Sequence, residues 1–224
     1  ATALARYSRM SGRHTLRAGL DAQWFPVREH FVMGITSPGF NDPASPSYNP
    51  ALSPHDLSRG GTPFVFEGSQ AGRAIGGFIQ STHRWRSATA TLGVRYDSYA
   101  FLVRGDQLQP RVGVAWQLPG NGGVVRASYN RNYQTPPNEN LLLSNSSEAA
   151  ALAPESVRQA LGGAHRPISP ERQDVFEIGY QRPLGPAVLD VAAYRKRSSD
   201  QQDNNNFFDT GIIFPTTLAA IDVV

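Results

Sequence analysis

The chain repeats a two-residue alternation in which one face of each segment is apolar while the other carries charge at mid-segment. Leu16, Ala18, Leu20, Ala22 and Trp24 oppose Arg17, Gly19, Asp21 and Gln23. Leu92, Val94 and Tyr96 oppose Gly93, Arg95 and Asp97, and Val112, Val114 and Trp116 oppose Arg111, Gly113 and Gln117. Val125, Ala127 and Tyr129 oppose Arg126, Ser128 and Asn130, and Phe176, Ile178 and Tyr180 oppose Glu177, Gly179 and Gln181. Period two means strands. A soluble barrel of modest size fills its interior with apolar side chains and has no place for arginine or glutamate there. Hydrocarbon on one side and a wet lumen on the other accept both faces without an unpaired buried charge.

The connections carry the same message. Met10–Arg13, Trp85–Ser87, Pro119–Gly123 and Arg182–Pro186 are tight and mostly rich in turn formers. Pro26–Gly72, Ser98–Leu108, Gln134–Arg172 and the stretch opening at Lys196–Thr210 read as long polar loops, so short and long links alternate. Membrane barrels have this asymmetry, and the clean segments match the ~9–11 residues of a tilted crossing. Ala1–Arg9, Arg73–Trp85 and Ala187–Arg195 are less regular strands; in the last, Val188 and Tyr194 lie opposite the apolar set. The fold expected is all-β, an antiparallel transmembrane β-barrel, and an incomplete fragment of a larger one. A ninth strand is expected to follow the eighth without a partner, so Ala1–Arg9 and the C-terminal segment are expected as unpaired ends. Leu16, Leu20, Leu92, Val94, Val112, Val114, Ile178 and Tyr180 are expected to face outward.

Other classes fit less well. Charged residues are 17% of the chain and the net charge is +3, with arginines scattered rather than gathered on one element, which argues against nucleic acid. There is no cysteine and no apolar run long enough for a helical span. His14, His30, His55, His83 and His165 show no ligand spacing, and no Gly-x-Ser-x-Gly elbow marks a nucleophile, so neither metal site nor enzyme is expected. Asp203, Asn204–Asn206 and Asp209 lack the pattern of a calcium loop. Pro154–Gly162 reads as a short helix, opened by Pro154 and Glu155 and stopped by Gly162. A small passive outer-membrane barrel and a soluble β-barrel binding module remain the alternatives.

Pro110 and Arg111, the strand ending Tyr133-x-x-Pro136-Pro137, the pair Pro170-Glu171 and the run Glu177-x-Gly179-Tyr180 follow one another in an order that resembles the barrel of TonB-dependent outer-membrane receptors. Gly72–Asp97 resembles that family's preceding pair of strands. The resemblance implies energy-coupled uptake of a scarce solute such as an iron-siderophore, cobalamin or glycan, through a barrel of about twenty-two strands closed by an N-terminal plug. It implies as partners outer-membrane lipid, an inner-membrane energy-coupling protein and an imported solute, in the outer membrane of a Gram-negative-type bacterium. Residues 1–224 are then expected to be a partial barrel domain with the plug domain absent. Arg17, Arg95, Arg111, Arg126 and Glu177 are expected to line the lumen, and Pro26–Gly72 and Gln134–Arg172 to recognise the solute.

Overall fold

A computed structural model describes residues 1–46, 48–136, 141–152, 169–206, 213–217 and 221–223. Eight strands follow one another as an antiparallel meander: β1 (Thr2–Ser11), β2 (His14–Met33), β3 (Phe64–Arg84), β4 (Ala88–Ala100), β5 (Arg104–Gln117), β6 (Val124–Gln134), β7 (Glu171–Leu184) and β8 (Ala187–Ser199). Each pairs with its sequence neighbours. Helices α1 (Leu141–Ser144) and α2 (Ser147–Leu152) lie in the β6–β7 connection, and short 3-10 turns at Pro50–His55 and Leu57–Arg59 lie in the β2–β3 connection. Beyond β8, β9 (Gln202–Asn206) and β10 (Ile213–Thr217) form a separate hairpin, and β11 (Ile221–Val223) joins the main sheet beside β8. The sheet does not close: β1 pairs with β2 and β11 with β8.

The register turns the separate alternations into two continuous surfaces. Leu16, Ser81, Leu92, Val112, Tyr129 and Phe176 form one row across six strands; Ala90, Val114, Ala127, Ile178 and Ala193 form another. Leu20, Leu92, Val112, Val114 and Ile178 are exposed and belong to no buried cluster. The opposite surface carries the polar set.

At Phe25 the pattern changes phase. Below it β2 places Leu20 and Trp24 on the apolar surface and Arg17 and Asp21 on the polar one. Above it the former surface carries Arg28 and His30, facing Ser69 and Glu67 of β3, while the other gathers Phe25, Val27, Phe31 and Met33 against Phe64 and Phe66. There the buried core lies. Ile35, Leu52, Phe64, Leu143, Ala149 and Leu152 form one cluster, and Tyr99, Phe101 and Leu142 another.

Several sequence expectations change. The long loop starting at Pro26 starts instead at Gly34 and ends at Pro63, because alternation continues past Phe25 in the opposite phase and the strands continue with it. Ser98–Leu108 is no long loop: β4 and β5 are joined by Phe101–Val103 alone, so the alternation of short and long links fails there. Pro110 does not start a strand. It sits within β5, facing Val94, one residue beyond Arg111, where the β5–β6 ladder stops; proline has no N–H to extend it. Part of the Asn-rich stretch is strand β9, and the C-terminal segment is paired through β11. The helix expected at Pro154–Gly162 lies outside the described residues. The end of β6 at Gln134, ahead of Pro136, and the start of β7 at Glu171 after Pro170 agree with the reading.

Candidate functional site

The polar surface holds two arginine-centred clusters. Arg95 projects from β4 and donates from Nε to Asp97 Oδ2 at 2.6 Å and from Nη2 to Asp21 Oδ2 of β2 at 3.2 Å. Gln109 of β5 donates to Asp97 as well. Period two makes this local: Arg95 and Asp97 share a face, and the register sets Gln109 opposite Arg95. Gly76 of β3 lies between, and a β-carbon there would collide with the guanidinium and both carboxylates. In the second cluster Arg126 of β6 reaches Asp190 of β8 at 2.9 Å and Glu177 of β7 at 3.5 Å. Its guanidinium passes over Gly179, where a β-carbon would come within 2.8 Å of Nε and Cζ. Each guanidinium thus lies across a strand that offers it a glycine.

Arg95, Asp21, Asp97, Gln109 and Arg111, together with Asn132, line a recess of about 390 Å³. Of the five residues singled out from the sequence, Arg95 and Arg111 meet at this recess and Arg126 and Glu177 at the second cluster. Arg17 stands exposed on the same surface, opposite Gln80 and Ser8. Asp21, Asp97, Asp190 and the glycine Gly76 were missed. The i, i+2 spacing of Arg95 and Asp97 was the available signal; Asp21 and Asp190 depend on register.

The remaining motif residues fasten the sheet ends. Tyr133 carries its hydroxyl over Gly105, against which Pro170 also packs. Glu171 is buried and accepts from Gln173. Tyr180 Oη donates to the Gly122 carbonyl at 2.7 Å, tying β7 to the β5–β6 turn. Pro137 lies outside the described residues.

Above the recess the two long connections are joined. Glu29 of β2 accepts the backbone N–H groups of Leu142 and Leu143 at 3.0 and 2.8 Å, capping α1 with a carboxylate. Asn49 donates from Nδ2 to the Ala151 and Leu152 carbonyls at 3.4 and 3.3 Å, while its side-chain Oδ1 accepts from Ala51 N. Ser146 caps α2 through Ala149 N at 3.0 Å. The three-residue β4–β5 link leaves room for this crossing. Beneath it Tyr99 is buried, and loss of water pushes its hydroxyl up to about 12.

Residues 2–218 match the family described as TonB dependent receptor-like, beta-barrel. The chain belongs to that family. As a TonB-dependent receptor-like barrel it is a protein of the Gram-negative outer membrane, and members of the family are transporters rather than enzymes. Its fold is similar to the FrpB iron transporter from Neisseria meningitidis. The F5-1 variant, in apoprotein form, matches at 17% identity with a TM-score of 0.55 over 98% of this chain and 31% of that one. The F3-3 variant matches at 16% identity with a TM-score of 0.56 over 97% and 30%. The chain therefore spans about a third of the length of these structures. No curated protein matches it. Among the described residues no group of three or more metal-ligating side chains comes together.

Proposed function

We propose that this chain is part of the barrel of an outer-membrane receptor for energy-coupled uptake of a scarce solute, with a plug domain supplied by the parent protein. The apolar surface meets lipid and the polar surface lines the lumen, so Arg17, Arg95, Arg111, Arg126 and Glu177 face the plug or the passing solute. The phase reversal at Phe25 carries this reading. A strand needs an apolar outward face only while hydrocarbon surrounds it, and β2 changes face about eleven residues from its short turn, the depth of a tilted crossing. Family membership supports the coupled mechanism over passive permeation. Siderophore complexes, cobalamin and glycans are the solute classes; iron is the solute named for the neisserial structures. The joined connections Gly34–Pro63 and Thr135–Pro170 are the recognition surface.

The test uses the full-length protein in intact cells. Uptake of each solute class is measured with and without the inner-membrane energiser, and after excision of either connection. Uptake that requires the energiser and binding that falls in either excision support the reading. Energiser-independent entry makes the protein a passive barrel, and unchanged affinity in both excisions removes the loops as the recognition surface.

A further inference from the structure

We propose that His14 and His83 form a two-nitrogen chelate for a divalent transition-metal ion of square-planar or octahedral preference, copper(II) above all. The two residues are 69 positions apart in sequence. They meet because the β2–β3 register sets them directly opposite each other at the short-turn end of both strands. They head the row that continues through Ala90, Val114 and Ala127, so both project from one face of the sheet. His14 is exposed and His83 half-buried. Their Nδ1 atoms stand 2.8 Å apart, with ring centroids at 3.9 Å.

That separation selects the metal. With metal–nitrogen bonds of ~2.0–2.1 Å, two ligands at a right angle on a square-planar or octahedral ion are about 2.9 Å apart, whereas tetrahedral zinc spreads them to about 3.3 Å. Copper(II) combines the right-angled geometry with the highest affinity of the divalent series. In the metal-free pair one Nδ1–H donates to the other Nδ1. An ion takes the place of that hydrogen, both Nδ1 lone pairs turn onto the metal, and each neutral ring keeps its hydrogen on Nε2. Trp85, two residues beyond His83, packs against the His83 ring with centroids 4.1 Å apart and helps to fix its orientation. The register neighbours of the pair are Ser11 on β1 and Ala90 on β4. Among the described residues no third histidine or carboxylate joins it, so the remaining positions of the ion take water or a small anion. The charge of Arg13 acts on His83 and favours the anion.

The experiment takes the full-length protein in neutral detergent, strips it with a chelator, and titrates it with copper(II), nickel(II) and zinc(II) salts. Electron paramagnetic resonance of the copper(II) form counts the imidazole nitrogens. Fluorescence of Trp85, isolated as the difference between the parent and W85F, reports proximity, and denaturant midpoints report clamping of β2 to β3. The expected result is one copper(II) ion with two imidazole nitrogens that quenches Trp85 and raises the midpoint. Its affinity falls roughly tenfold or more in H14Q and in H83Q, and nickel(II) displaces zinc(II). H30Q, which removes a histidine at the other end of β2, leaves all of this unchanged. A variant that fails to fold, judged by heat-modifiable electrophoretic mobility, is replaced by His14→Phe or His83→Phe, which keep a ring at the position. No copper(II) binding, a two-nitrogen signal or Trp85 quenching that survives in both single variants, or an equal loss in H30Q overturns the proposal. Zinc(II) binding more tightly than copper(II) and nickel(II) overturns the right-angled geometry and the proposal with it.

Discussion

The carboxylate of Glu29 on β2 holds the backbone N–H of Leu143 at 2.8 Å, joining the strand to the β6–β7 connection across 114 positions of sequence. Leu142 N shares the same carboxylate. Losing a charged acceptor that serves two partly buried donors costs about 1–3 kcal/mol. Glu29→Ala is expected to speed proteolytic cleavage of the β6–β7 connection roughly tenfold, with Glu29→Gln intermediate because its amide keeps one acceptor oxygen. Cleavage at the parent rate in Glu29→Ala would show that the apolar cluster alone holds the cap.

Gly179 tests the packing of arginine across the sheet. In Gly179→Val the new side chain displaces the Arg126 guanidinium from Asp190 and Glu177, an overpacking cost of about 1–3 kcal/mol. Denaturant midpoints of the detergent-solubilised full-length protein should fall accordingly. The pair Gly179→Val with Arg126→Ala should fall by less than the sum of the two single changes, since they share one contact.

The apolar belt makes a depth-dependent prediction. Leu92→Arg, in the middle of the outward face, is expected to lower the stability of the bilayer-assembled protein by about 2–4 kcal/mol. Gln80→Glu, on the polar surface of the neighbouring strand and opposite Arg17, should leave it nearly unchanged. Reversed sensitivities would invert the assignment of inside and outside.

At the short-turn rim, beyond the belt, His14 and His83 face each other with Nδ1 atoms 2.8 Å apart and ring centroids at 3.9 Å. Loss of water around the His83 ring, then the charges of His14 and Arg13, hold its pKa below the ordinary 6.5. The folded pKa is the lower one, so the neutral ring's contribution is present above the unfolded value and is lost as pH falls from there through the folded one. Titration of the imidazoles by NMR should give a His83 midpoint below that of a free histidine, and His14→Gln should raise it. A His83 midpoint unmoved by His14→Gln would remove the charge coupling.

Much of the barrel wall was legible because lipid and water impose opposite demands on neighbouring residues. The five clean alternations of the sequence are all strands, and all five apolar faces fall on one surface. The strand ends were less legible. Phe25–Met33 keeps period two but exchanges its faces, and a reader expecting lipid outside throughout takes the change of phase for a loop. The Ser98–Leu108 link was misjudged for a similar reason: polar residues such as Asp106 and Gln107 belong to a strand that has already left the belt.

The site divides in the same way. Arg95, Arg111, Arg126 and Glu177 stood out as charges at mid-strand, and that selection needed only the sequence. Which carboxylate each arginine meets did not follow from it. Asp21 reaches Arg95 across β3, and Asp190 reaches Arg126 across β7, each passing over a glycine. Alternation, turn chemistry and the proline stops are local properties of the chain, so the sequence by itself determined the strands, the two faces and the family. Register, the capping of α1 by Glu29 and the two arginine clusters join residues tens of positions apart. Only the tertiary structure decided them, because hydrogen-bonded pairing between strands sets which distant side chains become neighbours.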